Sequence, residues 1–145
     1  MRESCHPTPR DRPLAGRFAV TYRGVMSSRP VLVFDGDCGF CTWSAGLVDG
    51  WAQGRIDVIA WQRADLAGLG LTADECSEAV QFVDRSGRWA GAAAIAHALV
   101  LCRVPGPSVG RLLLRPSLAP VAERAYVLIA ANRHRLPGST PACAV

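Results

Sequence analysis

The first concentrated apolar run is Pro30 to Phe34 (PVLVF), short, continuous and rich in valine, which predicts a buried strand. After the segment DGDCGFC, the residues Phe40, Trp43, Leu47, Val48 and Trp51 recur at helical spacing. They predict an amphipathic helix with this stripe in the core, ending near Gly50 and Gly54. Ile56 to Ala60 is a second strand. Residues 62–69 read as a short helix and 70–77 as a loop or frayed turn. Ala79 to Asp84 is a third strand, Arg85-Ser86-Gly87 a turn and Arg88 to Ala90 a fourth strand, together a hairpin. Ala92 to Val104 is an alanine-rich helix with Ile95, Leu99 and Cys102 on one face and His97 turned to solvent. Pro105, Gly106 and Pro107 break it. A short helix over 108–114 follows. Leu118, Val121, Ala122, Ala125, Leu128 and Ile129 then mark a final amphipathic helix. No internal repeat is visible.

A strand–helix–strand opening requires a right-handed crossover and a parallel pair, and the closing hairpin adds an antiparallel edge. This is the element order of a thioredoxin-like α/β domain, a mixed sheet flanked by helices. Residues 29–136 are expected to form that single domain. Residues 1–28 hold Pro7, Pro9, Pro13 and five arginines without apolar periodicity, and are expected to be a disordered extension. Met26, just ahead of the first strand, offers an alternative start of translation. Residues 137–145 are expected to be a flexible tail.

With 145 residues, 50% hydrophobic and 19% charged, the chain can bury one core. Its net charge is +4, all of the basic residues being arginine. They are scattered along the chain, which argues against a nucleic-acid partner. No run of eighteen apolar residues predicts a membrane span, and no apolar stretch follows the N-terminal arginines as a secretory leader would require. A cytoplasmic location is the expectation.

Of six cysteines, only Cys38 and Cys41 form a close pair. One Cys-x-x-Cys between a strand and a helix reads as redox or metal chemistry. At a helix start the backbone N–H groups lack internal partners and the dipole favours negative charge. A thiolate at Cys38 is therefore stabilised, and thiolate is the species that attacks disulfides. Cys41, one turn on, can reach Cys38. The assignment is Cys38 as attacking thiol and Cys41 as resolving thiol, with no bound cofactor and a thiol or disulfide, protein or small molecule, as substrate. Asp35 and Asp37 oppose the helix terminus, because nearby negative charge raises a thiol pKa. Asp37 is a candidate helix cap, and Asp35 a candidate proton shuttle for Cys41.

The segment VLVFDGDCGFC resembles the DCC family of thiol–disulfide oxidoreductases, named for its Asp-x-x-Cys-x-x-Cys motif, with Asp35, Cys38 and Cys41 on the motif positions. FVDRSGRWAGAAAIAHAL resembles the family's strand–turn–Gly–Ala-helix segment, and AYVLIAANRHRLPG its C-terminal helix with the Asn132-Arg133 pair. Cys143 matches a cysteine often found near the family's end. The resemblance covers roughly residues 30–145 and implies a thioredoxin-like fold and dithiol exchange. Gly36, Asp37, Phe40 and Arg133 are the supporting candidates. Arg133 is a candidate for holding an anion or the Asp35 region, the plainer reading being a surface arginine at a helix end. Thioredoxins place a cis-proline before the third strand; here Cys76-Ser77-Glu78 stand there instead.

Two other readings remain open on the residues. The pair could hold zinc, but a tetrahedral site usually needs a second close pair, for which only Cys143 and His134 offer themselves. It could also be non-catalytic in an interaction module. Cys102 reads as a core residue and Cys76 as an ordinary surface thiol, the alternative being a third redox thiol near the redox edge. Trp43 and Trp51 read as core.

Overall fold

The computed structural model describes residues 29–103 and 105–136, except for the His134 side chain. The expectations for residues 1–28 and 137–145, with Met26, Cys5 and Cys143, lie outside the described residues, as does the zinc role of His134.

Strand β1 (Val31–Phe34) is buried at all four positions. Alternate side chains face opposite sides of a strand. Leu32 and Phe34 therefore enter one core and Val31 and Val33 the other. β2 (Asp57–Ala60) runs parallel to β1, with Phe34 beside Ala60. β3 (Gln81–Asp84) lies antiparallel on the other edge of β1 and forms a hairpin with β4 (Gly87–Ala90). The order β2-β1-β3-β4 makes the predicted mixed sheet with helices on both faces, the thioredoxin-like arrangement.

Helices α1 (Gly39–Ala52) and α4 (Gly91–Leu101) cover the Leu32/Phe34 face. The inward row of α1 is Cys41, Ala45, Val48 and Ala52. Trp43, Leu47 and Trp51, expected in the core, are exposed, Trp43 to 50%. Small side chains let the helix approach the sheet, and indoles on that face would hold it off. α2 (Leu66–Leu69) and α3 (Ala73–Glu78) lie over the Val31/Val33 face. The helix α3 falls where a loop was expected. A reciprocal cap builds it: the Thr72 side chain accepts the Glu75 N–H, and the Glu75 carboxylate accepts the Thr72 N–H at 2.8 Å. The Thr72 N–H and hydroxyl, both donating to the Glu75 carboxylate, hold that carboxyl below its usual range.

Helix α3 carries Cys76 inward against β1, so this residue is a core thiol and not a surface one. Cys102 is fully buried, as expected. Burial pushes both thiols up. The His97 ring is not free in solvent but stacks on Trp89 with centroids 4.0 Å apart.

α5 (Gly106–Leu113) packs on α4 through glycines one turn apart. A Cβ on Gly110 would stand 2.6 Å from the Ala96 carbonyl oxygen, and one on Gly106 2.8 Å from that of Leu99. α6 (Ala119–Asn132) buries no residue fully, and Val121, Ala125, Leu128 and Ile129 of its expected stripe face outward, Leu128 to 66%, while Leu118 and Ala122 are half-buried. Polar groups orient it instead. Glu123 accepts the Ala92 N–H at the start of α4 (3.2 Å), and the Tyr126 hydroxyl accepts the Val80 N–H ahead of β3 (3.0 Å).

Two outcomes follow from this packing. Gly110→Ala should lower the unfolding free energy by about 1–3 kcal/mol through overpacking. Gly50→Ala, in α1 with open space around it, should be neutral or stabilising by up to about 1 kcal/mol. Denaturant unfolding of the two variants checks the contrast. In folded, reduced protein at neutral pH, Cys76 and Cys102 should resist iodoacetamide until denaturant is added, with alkylation located by peptide mass.

Candidate functional site

β1 delivers its C-terminal end to the site, and the chain turns at once. The Cys38 N–H donates to the Asp35 carbonyl (3.3 Å), and the Asp37 N–H donates to Asp35 Oδ1 (3.0 Å). This places Cys38, with extended backbone, as the N-cap of α1. Asp37 is therefore not the cap. The cap acceptor is the Cys38 sulfur, which receives the Cys41 N–H at 3.2 Å. The Cys38 carbonyl accepts from the Thr42 N–H (2.9 Å) and hydroxyl (3.1 Å), which locks the first turn.

Cys38 and Cys41 are joined as a disulfide, with Cα atoms 5.1 Å apart. Cys38 is 8% exposed, while Cys41 is half-buried against the α1 side of the core. The loop in front of them, Gly36-Asp37, is exposed. Phe40, between the cysteines, packs on Trp43 with ring centroids 6.0 Å apart.

Asp35 is the hub of the surrounding polar groups. Its side chain is 15% exposed, and its Oδ2 lies 3.9 Å from Arg133 Nη1, whose side chain is 24% exposed. Arg133 begins the 3-10 turn after α6, a turn that packs against α1. Both of its terminal nitrogens also donate to the Ser77 carbonyl at 3.4 Å. The guanidinium thus bridges the cysteine loop and the end of α3. The segment ahead of β3, where thioredoxins place their cis-proline, is held by α6 and its C-terminal turn: Arg133 at the Ser77 carbonyl and Tyr126 at the Val80 N–H.

Sequence reasoning missed Gln62, Ser77 and Tyr126. Gln62, in the 3-10 turn Trp61–Arg63 after β2, donates through Nε2 to Asp35 Oδ1 (3.3 Å) and accepts the Gly36 N–H through Oε1 (3.1 Å). Only the strand register reveals it. Phe34 pairs with Ala60, so Asp35 and Gln62 leave adjacent strand ends. Ser77 contributes only its carbonyl, for which no side-chain signal exists. Among the described residues no cluster of three His, Cys, Asp or Glu side chains could hold a metal ion, and no helix is long and apolar enough to cross a membrane.

The arrangement is a dithiol/disulfide pair at a helix N-terminus, with one thiol sulfur held by a backbone amide and a paired carboxylate behind it. Neither the curated proteins nor the solved structures contain a match to the chain. The family of DCC1-like thiol-disulfide oxidoreductases matches residues 32–139, from the second residue of β1 through the Arg133 turn. The chain belongs to the DCC1-like thiol-disulfide oxidoreductase family.

Proposed function

We propose that this protein is an enzyme that exchanges disulfides through Cys38 and Cys41, with Cys38 as the attacking thiol. The observation that carries the reading is the Cys41 N–H aimed at the Cys38 sulfur in the first turn of α1. An unpaired helix-terminal amide stabilises a thiolate at that atom. Cys41 has no equivalent placement, since it lies within the first turn and packs toward the core.

In the reducing direction, the Cys38 thiolate attacks one sulfur of a substrate disulfide. A Cys38–substrate bond forms and the first substrate thiolate leaves. Cys41 then loses its proton and attacks the Cys38 sulfur. The Cys38–Cys41 bond closes, the mixed disulfide breaks and the second substrate thiolate leaves. Two electrons pass from the pair to the substrate; one departing thiolate takes up the proton lost by Cys41 and the other takes up from solvent the proton that Cys38 released on ionising. The reverse sequence oxidises a substrate dithiol. The relative reduction potentials of pair and substrate set the direction. The pair carries the electrons itself, so the reaction calls for no bound cofactor.

Asp35 is proposed to handle the Cys41 proton by way of solvent. Its Oδ1 is committed to Asp37 and Gln62, which leaves Oδ2, on the Arg133 side, to take it. Arg133 fixes the carboxylate. Gly36 serves by lacking a side chain: a Cβ there would stand 2.8 Å from Gln62 Oε1 and 2.9 Å from the Ala60 Cβ.

Trapping with oxidised glutathione tests the roles. Reduced Cys41→Ser should accumulate a glutathione adduct on Cys38, while reduced wild type should release glutathione and close its own disulfide. Reduced Cys38→Ser should form an adduct on Cys41 at least about tenfold more slowly near pH 7, since below its pKa a thiol gains about tenfold in thiolate for each unit of lowering. Equal adduct rates on the two single-cysteine sites would overturn the assignment. Stoichiometric zinc in protein purified without chelators would favour the metal-binding reading.

A further inference from the structure

Gln62 is exposed, lies outside the motif and is distant from it in sequence, yet both ends of its carboxamide engage the cysteine loop. Its Oε1 accepts from the backbone of Gly36 and its Nε2 donates to the carboxylate of Asp35. This orientation of the amide matches acceptor to donor at one end and donor to acceptor at the other. The approach is built for it: a side chain on Gly36 would collide with Gln62 Oε1 and with Ala60. The same Asp35 oxygen also receives the Asp37 N–H, so Gln62 completes the shell that fixes the turn leading into Cys38.

We propose that Gln62 is a positioning residue for the cysteine pair, clamping the Asp35 carboxylate and the Gly36 amide from the end of β2. The proposal rests on Cys38 being the working thiol. Two physical effects run in the same direction. The amide N–H partly compensates the Asp35 charge, which otherwise disfavours a thiolate nearby. The clamp also holds the turn that keeps the Cys38 sulfur under the Cys41 N–H. The charged groups around the site are Asp35 and Asp37 of the loop, Arg63 beside Gln62, Arg133 and Arg135 of the turn after α6, and Asp74, Glu75 and Glu78 of α3, which packs on the Gln62 turn. All of them are common to wild type and variants. Gln62 covers no core, so its removal should leave global stability within about 0.5 kcal/mol.

The test is the pH dependence of Cys38 alkylation in fully reduced, full-length protein, located by fragment mass, for wild type, Gln62→Ala and Gln62→Glu. In Gln62→Ala the alkylation midpoint should rise by about half a pH unit, from loss of the donor. In Gln62→Glu, of nearly equal size, a second carboxylate beside Asp35 should raise it by about one unit. Thermal unfolding of both variants should match wild type. Profiles that superimpose on wild type in both variants, or a lower midpoint in Gln62→Glu, would overturn the proposal. A wild-type pair that never closes its disulfide with oxidised glutathione would instead remove the exchange reading. The Gln62 comparison would stand, because its midpoints are read on reduced thiols.

Discussion

Strand β1 is paired along both edges and buried on both faces, and the site exists because of where that strand stops. A strand in this position cannot slip by one residue without exchanging the Leu32/Phe34 and Val31/Val33 sets between two different cores. Its register is therefore strongly specified, and so is the point at which Asp35 leaves the sheet. The parallel partner β2 stops at the same level, which sets Gln62 beside Asp35. From there a single turn brings the chain to Cys38 and into α1. The precision of the cysteine loop is inherited from the apolar packing beneath it.

A second layer of control comes from α6, which contributes little to the core but much to the polar order of the site. Glu123, Tyr126 and Arg133 lie along one side of the C-terminal segment and engage the start of α4, the segment ahead of β3 and the cysteine loop. The bonds to Glu123 and Arg133 pair charged groups with backbone, which are stronger than neutral ones. They compensate for a helix whose apolar stripe is turned outward. The consequence for chemistry is that the Asp35 carboxylate, at the turn leading into Cys38, is partnered at both oxygens. Arg133 faces one of its oxygens, and Gln62 and a backbone amide hold the other.

The element order, the parallel pair, the hairpin and the cysteine motif were legible from local pattern, because strands with buried runs and a helix following a Cys-x-x-Cys leave dense signals. The orientation of the helices was not. In α1 the large residues Trp43, Leu47 and Trp51 dominate the periodicity, while the inward row is Cys41, Ala45, Val48 and Ala52, of which only Val48 belongs to the expected stripe. Size misleads a periodicity reading wherever close approach selects alanine. In α6 the deciding groups are polar and their partners are backbone atoms far along the chain. The helix α3 was readable in principle, since Thr72 and Glu75 stand at capping-box spacing. The hidden part of the site, Gln62 and the Ser77 carbonyl, depends on strand register and on backbone atoms, neither of which leaves a residue-type signature.

Disulfide exchange requires Cys38 and Cys41 to form a reversible two-electron couple. The direct measurement is the redox equilibrium of the pair, by trapping free thiols in a graded glutathione series and counting them by mass spectrometry. A single cooperative transition of two thiols, mapped to Cys38 and Cys41, with Cys76 and Cys102 reduced throughout, is the predicted result. The absence of an intramolecular disulfide between Cys38 and Cys41 across the whole series would contradict exchange through this pair.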